Sequence, residues 1–214
     1  MMKLYGYWRS TAAFRVRIAL FYKGLDFENV AVHLVKDGGE QHSESYAALN
    51  PNELVPTLVD GDLKLHQSLA IIDYLEEKYP EKSLYPDSLA DKATVKAMAM
   101  DIACEVHPLN NLRVQQYLSQ TIAVEDSVKT NWVHHWMHQG FSSLEKQLEN
   151  VSGQFCFGNQ ITVADICLVA QIYNADRFNV DLSAYPLINK VVENCRKHSA
   201  FIAASPENQP DAVN

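Results

Sequence analysis

Up to Pro80 the chain alternates two kinds of hydrophobic pattern. Lys3 to Tyr7 reads as a short strand. Over Thr11 to Lys23 the apolar residues Phe14, Ile18, Leu20 and Phe21 recur at helical spacing, and Gly24 is placed to end that helix. Phe27 to Leu34 reads as a second strand. Thr57-Leu58-Val59 and Leu63 to Leu65 flank Asp60-Gly61-Asp62 and predict a hairpin. Gln67 to Tyr79 predicts a helix with Leu69, Ile72 and Leu75 toward a core, stopped by Pro80. The order βαβ then ββα predicts a small α/β unit with a mixed sheet.

Pro80 to Asp91 is rich in polar residues and carries two prolines, so the linker falls there and the domains divide as 1–83 and 84–214. Beyond it nearly everything reads as helix. Leu187, Ile188, Val191, Val192 and Cys195 form one apolar stripe. Val163 to Tyr173 is apolar almost all round, the mark of a helix buried within its domain. Its start is signalled by Thr162 and Asp165 as a capping box, with Ile161 and Ile166 placed as a hydrophobic staple. Asp165 is thereby accounted for without catalysis. The polar tail from Ser205 is expected to be loosely held.

Composition narrows the partners. Hydrophobic residues make up 47% and charged residues 21%, the balance of a soluble globular protein. A net charge of -8 disfavours nucleic acid. No apolar run approaches the length of a membrane span, and Met1 leads straight into the first strand without an apolar signal core, so a cytoplasmic protein is expected. Cys104, Cys156, Cys167 and Cys195 lack CxxC spacing and read as reduced, mostly buried thiols. His134, His135 and His138 have a spacing that can bind metal, but no acidic or cysteine ligand completes the set; no metal is expected.

Candidate chemistry begins at Ser10 and Thr11, where the first strand turns into the first helix. A helix start offers unpaired N–H groups and the positive end of a dipole, and a hydroxyl there can donate to a thiolate. From the residues alone, a plain N-cap is the better reading of Ser10. Gln67 and Ser68 open the helix predicted over Gln67 to Tyr79 in the same way. His107 and Asn111 are four apart, which would put them on one helical face, with Arg113 off it. Arg177 follows the buried helix, and its charge must reach solvent, a partner or a ligand.

The segment Arg9-Ser10-Thr11-Ala12-Ala13-Phe14-Arg15-Val16-Arg17 resembles the SSCxWRVR-type signature of the zeta-class glutathione transferases. The likeness continues through Lys36-Asp37-Gly38-Gly39, Asn50-Pro51, Val55-Pro56-Thr57-Leu58 and His66 to Ile72. It then covers His107-Pro108-Leu109-Asn110-Asn111 and Asn174-Ala175-Asp176-Arg177-Phe178. It implies the glutathione transferase fold: an α/β thioredoxin-like N-terminal domain plus an all-α C-terminal domain. It implies glutathione as cofactor, held by Ser10, Thr11, Ala12, Gln41, Val55, Gln67 and Ser68, with His107 and Asn111 on the border with the substrate. Ser10 would stabilise the thiolate, with Thr11 beside it, and Val55 would precede a cis proline. Arg9, His107, Asn111, Arg113 and Arg177 would hold a small dicarboxylate diketo acid.

The implied reaction is cis–trans isomerisation of maleylacetoacetate to fumarylacetoacetate, in tyrosine and phenylalanine catabolism. Maleylpyruvate isomerisation and general glutathione conjugation are the neighbouring activities, and a non-enzymatic interaction module is the non-catalytic one. A homodimer is implied. Two of the departures from the pattern bear on the chemistry: Ala12 stands where the class has cysteine and Thr11 where it has a second serine. Glutathione brings its own thiol, so the missing cysteine is dispensable. A glutaredoxin-like or omega-type thiol reductase is rejected, because no cysteine precedes Cys104.

Overall fold

The computed structural model describes residues 1–213. They form two compact units, one of residues 1–84 with 197–213, the other of residues 85–196.

In the first unit a four-stranded sheet runs in the order β2-β1-β3-β4. Strand β1 (Met2–Gly6) pairs in parallel with β2 (Phe27–Ala31) and antiparallel with β3 (Thr57–Asp60). Strand β3 pairs antiparallel with β4 (Leu63–His66) around Gly61, whose φ of 61° suits glycine in the tight turn. Alternate residues Met2 and Leu4 of β1 join Val16 and Leu20 of α1 (Thr11–Lys23), Leu58 of β3, and Ile71 and Leu75 of α3 (Ser68–Lys78) in one core. The crossover through α1 is what lets β1 and β2 run parallel. Gly24 ends α1 in the left-handed conformation, as expected. A short α2 (Glu44–Ala47) lies between β2 and β3.

The second strand is shorter than its apolar pattern suggests. Val32 adds one bond, to the Gly6 carbonyl at 2.7 Å. The His33 ring then accepts from the backbone N–H of Val35 (3.3 Å) and Lys36 (2.9 Å), which folds the chain back before Leu34 can extend the ladder.

The tail corrects a second expectation: it is not loose, and residues 197–213 cluster with the α/β unit rather than with the helices before them. The buried guanidinium of Arg17 donates to the carbonyl of Ala204, the last residue of α9 (Ser199–Ala204), at 3.1 Å, and to that of Trp8 at 2.9 Å. Asp211 accepts from the Trp8 N–H at 2.9 Å, and Gln209 donates to the carbonyls of Ala203 and Ser205. Polar residues hold this tail by pairing with backbone, which hydrophobic patterning does not register.

The second unit is helical: α4 (Leu89–Met100), α5 (Leu112–Gln116), α6 (Asp126–Val151), α7 (Val163–Arg177) and α8 (Pro186–Arg196). Helix α7 is buried almost throughout, and the Thr162–Asp165 capping box is formed. Asp165 also accepts from the Cys156 N–H at 2.7 Å; burial pushes its carboxyl up, opposed by these donors. Glu145 of α6 caps α8, accepting from the N–H groups of Leu187 (2.7 Å) and Ile188 (2.9 Å).

Candidate active site

The first unit gathers most of the predicted glutathione residues around two helix N-termini. Ser10 is the N-cap of α1, with extended φ/ψ and its Oγ accepting from the Ala13 N–H at 3.2 Å. That bond uses a lone pair and leaves the hydroxyl proton to donate elsewhere, so capping and thiolate stabilisation are compatible in one side chain. Ser10 is half-buried, whereas Thr11 is 5% exposed. Of the adjacent hydroxyls, Ser10 is therefore the accessible one. Ala12 follows in the first turn, half-buried.

Arg9 lies just before the cap. Its guanidinium donates to the Tyr7 hydroxyl (Nη2 at 3.0 Å) and lies over the Trp8 ring at 4.7 Å. Two aromatic neighbours thus hold a flexible cation in one place.

At the start of α3, Gln67 takes φ 70°, a left-handed value for a residue with a side chain, and makes no side-chain cap bond. Ser68 is buried, and its Oγ accepts from Nη1 of Arg15, itself buried in α1, at 3.3 Å. The Ser68 proton is then directed away from a cation, as donation to a carboxylate requires.

Val55 precedes Pro56 through a cis peptide bond, as the resemblance implied. The loop before it is tied down by residues that sequence reasoning left without a role. The Leu54 carbonyl accepts from the Tyr46 hydroxyl (2.7 Å) and the Asn50 amide (2.8 Å), and both donors also meet the Thr57 hydroxyl. The Asn50-Pro51 dipeptide was the available signal for this.

Gln41, in the 3₁₀ turn Glu40–His42, is a buried residue. It is 7% exposed, its Nε2 donates to the Leu34 carbonyl at 3.4 Å, and its Oε1 is buried without a partner among the described residues. A side chain on Gly39 would collide with it, so the glycine there makes room.

This donor set fits a small peptide with one thiolate and terminal carboxylates. Two helix N-termini and the Ser10 and Ser68 hydroxyls suit the anions, and the orphaned Gln41 oxygen suits an N–H.

The substrate-side residues His107, Asn111, Arg113 and Arg177 lie in the second unit. The single helical face expected for His107 and Asn111 is not formed. Helix α4 widens into a π-type stretch over Asp101–Val106, tightens to a 3₁₀ turn over His107–Asn110, and breaks at Asn111. Asn111 is extended and caps α5, its Oδ1 accepting from the Arg113 N–H at 3.1 Å. Pro108 and an asparagine with a strong capping preference explain the break. Arg113 is exposed on α5. Arg177, the last residue of α7, donates through Nη1 to Oδ1 of Asn174 at 3.3 Å and lies over the Phe178 ring at 5.8 Å. Asn174 in turn donates to Asn110 at 2.7 Å, which brings Arg177 to the His107–Asn111 segment. The histidines of α6 have structural partners: His134 with the Phe178 carbonyl and His138 with the Tyr185 hydroxyl, both at 2.8 Å.

Two family models match the chain, the glutathione S-transferase N-terminal domain over residues 4–83 and the glutathione S-transferase C-terminal domain over residues 113–203. The chain belongs to the glutathione S-transferase family. This transferase is 52% identical to a probable maleylacetoacetate isomerase of Vibrio cholerae, over 98% of this chain and 97% of that one. It is 42% identical to a maleylpyruvate isomerase of a Ralstonia species, over 99% and 100% of the two chains. Among solved structures it resembles a holo maleylpyruvate isomerase, a bacterial zeta-class glutathione S-transferase, with TM-score 0.95 and 41% identity over 99% of this chain and all of that one. It also resembles the Methylobacterium extorquens maleylacetoacetate isomerase with bound malonate and glutathione, with TM-score 0.95 and 38% identity over the same shares. The zeta-class assignment made from the motifs therefore stands. No helix among the described residues of this transferase is long and apolar enough to cross a membrane.

Proposed function

We propose that this glutathione S-transferase is a glutathione-dependent cis–trans isomerase that converts maleylacetoacetate to fumarylacetoacetate, in tyrosine and phenylalanine breakdown. The observation that carries the reading is the half-buried Ser10 hydroxyl at the N-terminus of α1, in a unit with no cysteine of its own. A nucleophilic sulfur there has to arrive with a small molecule.

Bound glutathione supplies a thiolate that adds to the cis double bond and leaves after rotation about the resulting single bond, so it is regenerated. The chain's own residues do the rest. Ser10 donates to the sulfur and, with the α1 terminus, favours its ionised form. Ser68, Gln67, Gln41 and Val55 fix the remainder of the tripeptide. Arg9 and Arg177 serve the substrate carboxylates, for which guanidinium geometry is suited. Charge that develops on the substrate oxygen during addition is stabilised by the guanidinium groups and by side-chain N–H donors of His107 and Asn111.

Maleylpyruvate is the second reading, favoured by the Ralstonia relative and by arginines that serve either diacid. A homodimer in the cytoplasm is part of the proposal, with light scattering at micromolar concentration as its check. The deciding experiment measures turnover of maleylacetoacetate and of maleylpyruvate, each with and without glutathione. Faster glutathione-dependent turnover of maleylacetoacetate is expected. A preference for maleylpyruvate would replace the substrate, and turnover independent of glutathione would reject the mechanism.

A further inference from the structure

Two buried asparagines link the parts of the second unit that carry the substrate-side residues. Asn110, 1% exposed, donates through Nδ2 to the Val106 carbonyl at 2.8 Å, closing the turn that contains His107. Its Oδ1 accepts from Nδ2 of Asn174 at 2.7 Å, and its backbone carbonyl accepts from the Gln115 amide at 2.8 Å. Asn174, 5% exposed, presents its own Oδ1 to the Arg177 guanidinium, one helical turn further along α7. The bonds run in one direction: Arg177 to Asn174, Asn174 to Asn110, Asn110 to Val106. Each amide is thereby satisfied on both its oxygen and its nitrogen, and the amide orientations are set by the donors and acceptors around them.

The geometry points to Asn174 and Asn110 as positioning residues that aim Arg177 at the substrate carboxylate and lock it in register with the His107–Asn111 segment. The inference rests on the reading of Arg177 as a carboxylate-binding residue. A neutral amide suits this task better than a carboxylate would. An aspartate at 174 would pair with the guanidinium as an ion and compete with the substrate for it, whereas the amide oxygen orients the cation without bringing a competing charge. Burial of the pair between α7 and the turn keeps water from substituting for either bond, so the aim of Arg177 depends on both side chains.

The test is a double-mutant cycle on the purified, glutathione-loaded enzyme. Arg177→Ala and Asn174→Ala are each expected to raise the KM for maleylacetoacetate about ten-fold, the scale of one lost bond to a charged group, with the KM for glutathione little changed. Added to Arg177→Ala, the Asn174→Ala change should have almost no further effect on that KM, while its loss of thermal stability should persist. Asn110→Ser should show the same dependence on Arg177. Should Asn174→Ala fail to fold, Asn174→Ser, too short to reach both partners, takes its place in the cycle. Additive effects of positions 174 and 177 on KM, or a folded Asn174 variant with normal KM beside an impaired Arg177→Ala, would overturn the positioning role alone. A normal substrate KM in Arg177→Ala would instead overturn the carboxylate reading, and the positioning role with it.

Discussion

The Arg15 guanidinium, buried in α1, donates to the Ser68 hydroxyl at the start of α3 across 3.3 Å. Two helices whose N-termini carry the proposed glutathione residues are thus joined by a charge-assisted bond. Arg15→Met keeps much of the apolar stem and removes the charge. It is expected to cost roughly 1.5–3 kcal/mol of stability, the worth of a hydrogen bond to a charged group, and to weaken glutathione binding by a smaller amount as Ser68 loses its orientation. The substrate KM at saturating glutathione should hold. Calorimetric titration of glutathione checks this; unchanged affinity in a folded variant would make Arg15 a packing residue only.

Ser10→Ala separates two roles of one hydroxyl. Loss of the Ala13 cap should cost about 1 kcal/mol of stability. Loss of the thiolate donor should raise the thiol pKa of bound glutathione and lower turnover near neutral pH by about 10²-fold. Thiolate absorbance across pH, read beside thermal unfolding, distinguishes them. A stability loss with an unchanged titration would leave Ser10 as a cap alone.

The cysteines give a prediction independent of any ligand. Cys156, Cys167 and Cys195 are buried, and burial pushes the thiols of Cys156 and Cys195 up, so they stay protonated and shielded. Cys104 is exposed. A thiol reagent should therefore label one site in the native protein, and none in Cys104→Ser, whose turnover should equal the parent's. Lost turnover in that folded variant would contradict a mechanism in which the sulfur comes from glutathione.

What the sequence made legible was local. The bounds of α1 follow from Ser10 and Gly24, and the start of α7 from Thr162 and Asp165, because caps act within a few residues. The mixed sheet followed from the order of strand and helix patterns. Features that depend on distant partners stayed hidden. The early end of β2 depends on what the His33 ring accepts, and the docked tail on bonds such as Trp8 to Asp211, at opposite ends of the chain. The break at Asn111 was a competition between helical periodicity and capping chemistry, and capping won. Asn50, Asn110 and Asn174 stood inside recognisable motifs, but their roles come from pairings that no spacing encodes.

Gly140 of α6 sits against Val106, the last residue of the π-type stretch before His107, and a Cβ at Gly140 would collide with the valine side chain. By helix propensity alone, Gly140→Ala should stabilise α6 by about 0.8–1.0 kcal/mol. The collision opposes that gain. Val106 is buried, and its β-branched side chain has little rotamer freedom with which to move aside, so overpacking on the order of 1–3 kcal/mol is the larger effect. Gly140→Ala should accordingly lower the melting temperature. It should also raise the KM for the diacid, because relief of the clash displaces the turn that carries His107 and Asn111, while glutathione affinity stays near the parent value. Val106→Ala in the same chain removes the obstructing methyl groups and should recover most of the lost KM. Thermal unfolding and substrate kinetics on the two single variants and the double variant decide the matter. If Gly140→Ala is as stable as the parent or more so, with normal kinetics, the close approach of α6 is a packing accident with no bearing on the site.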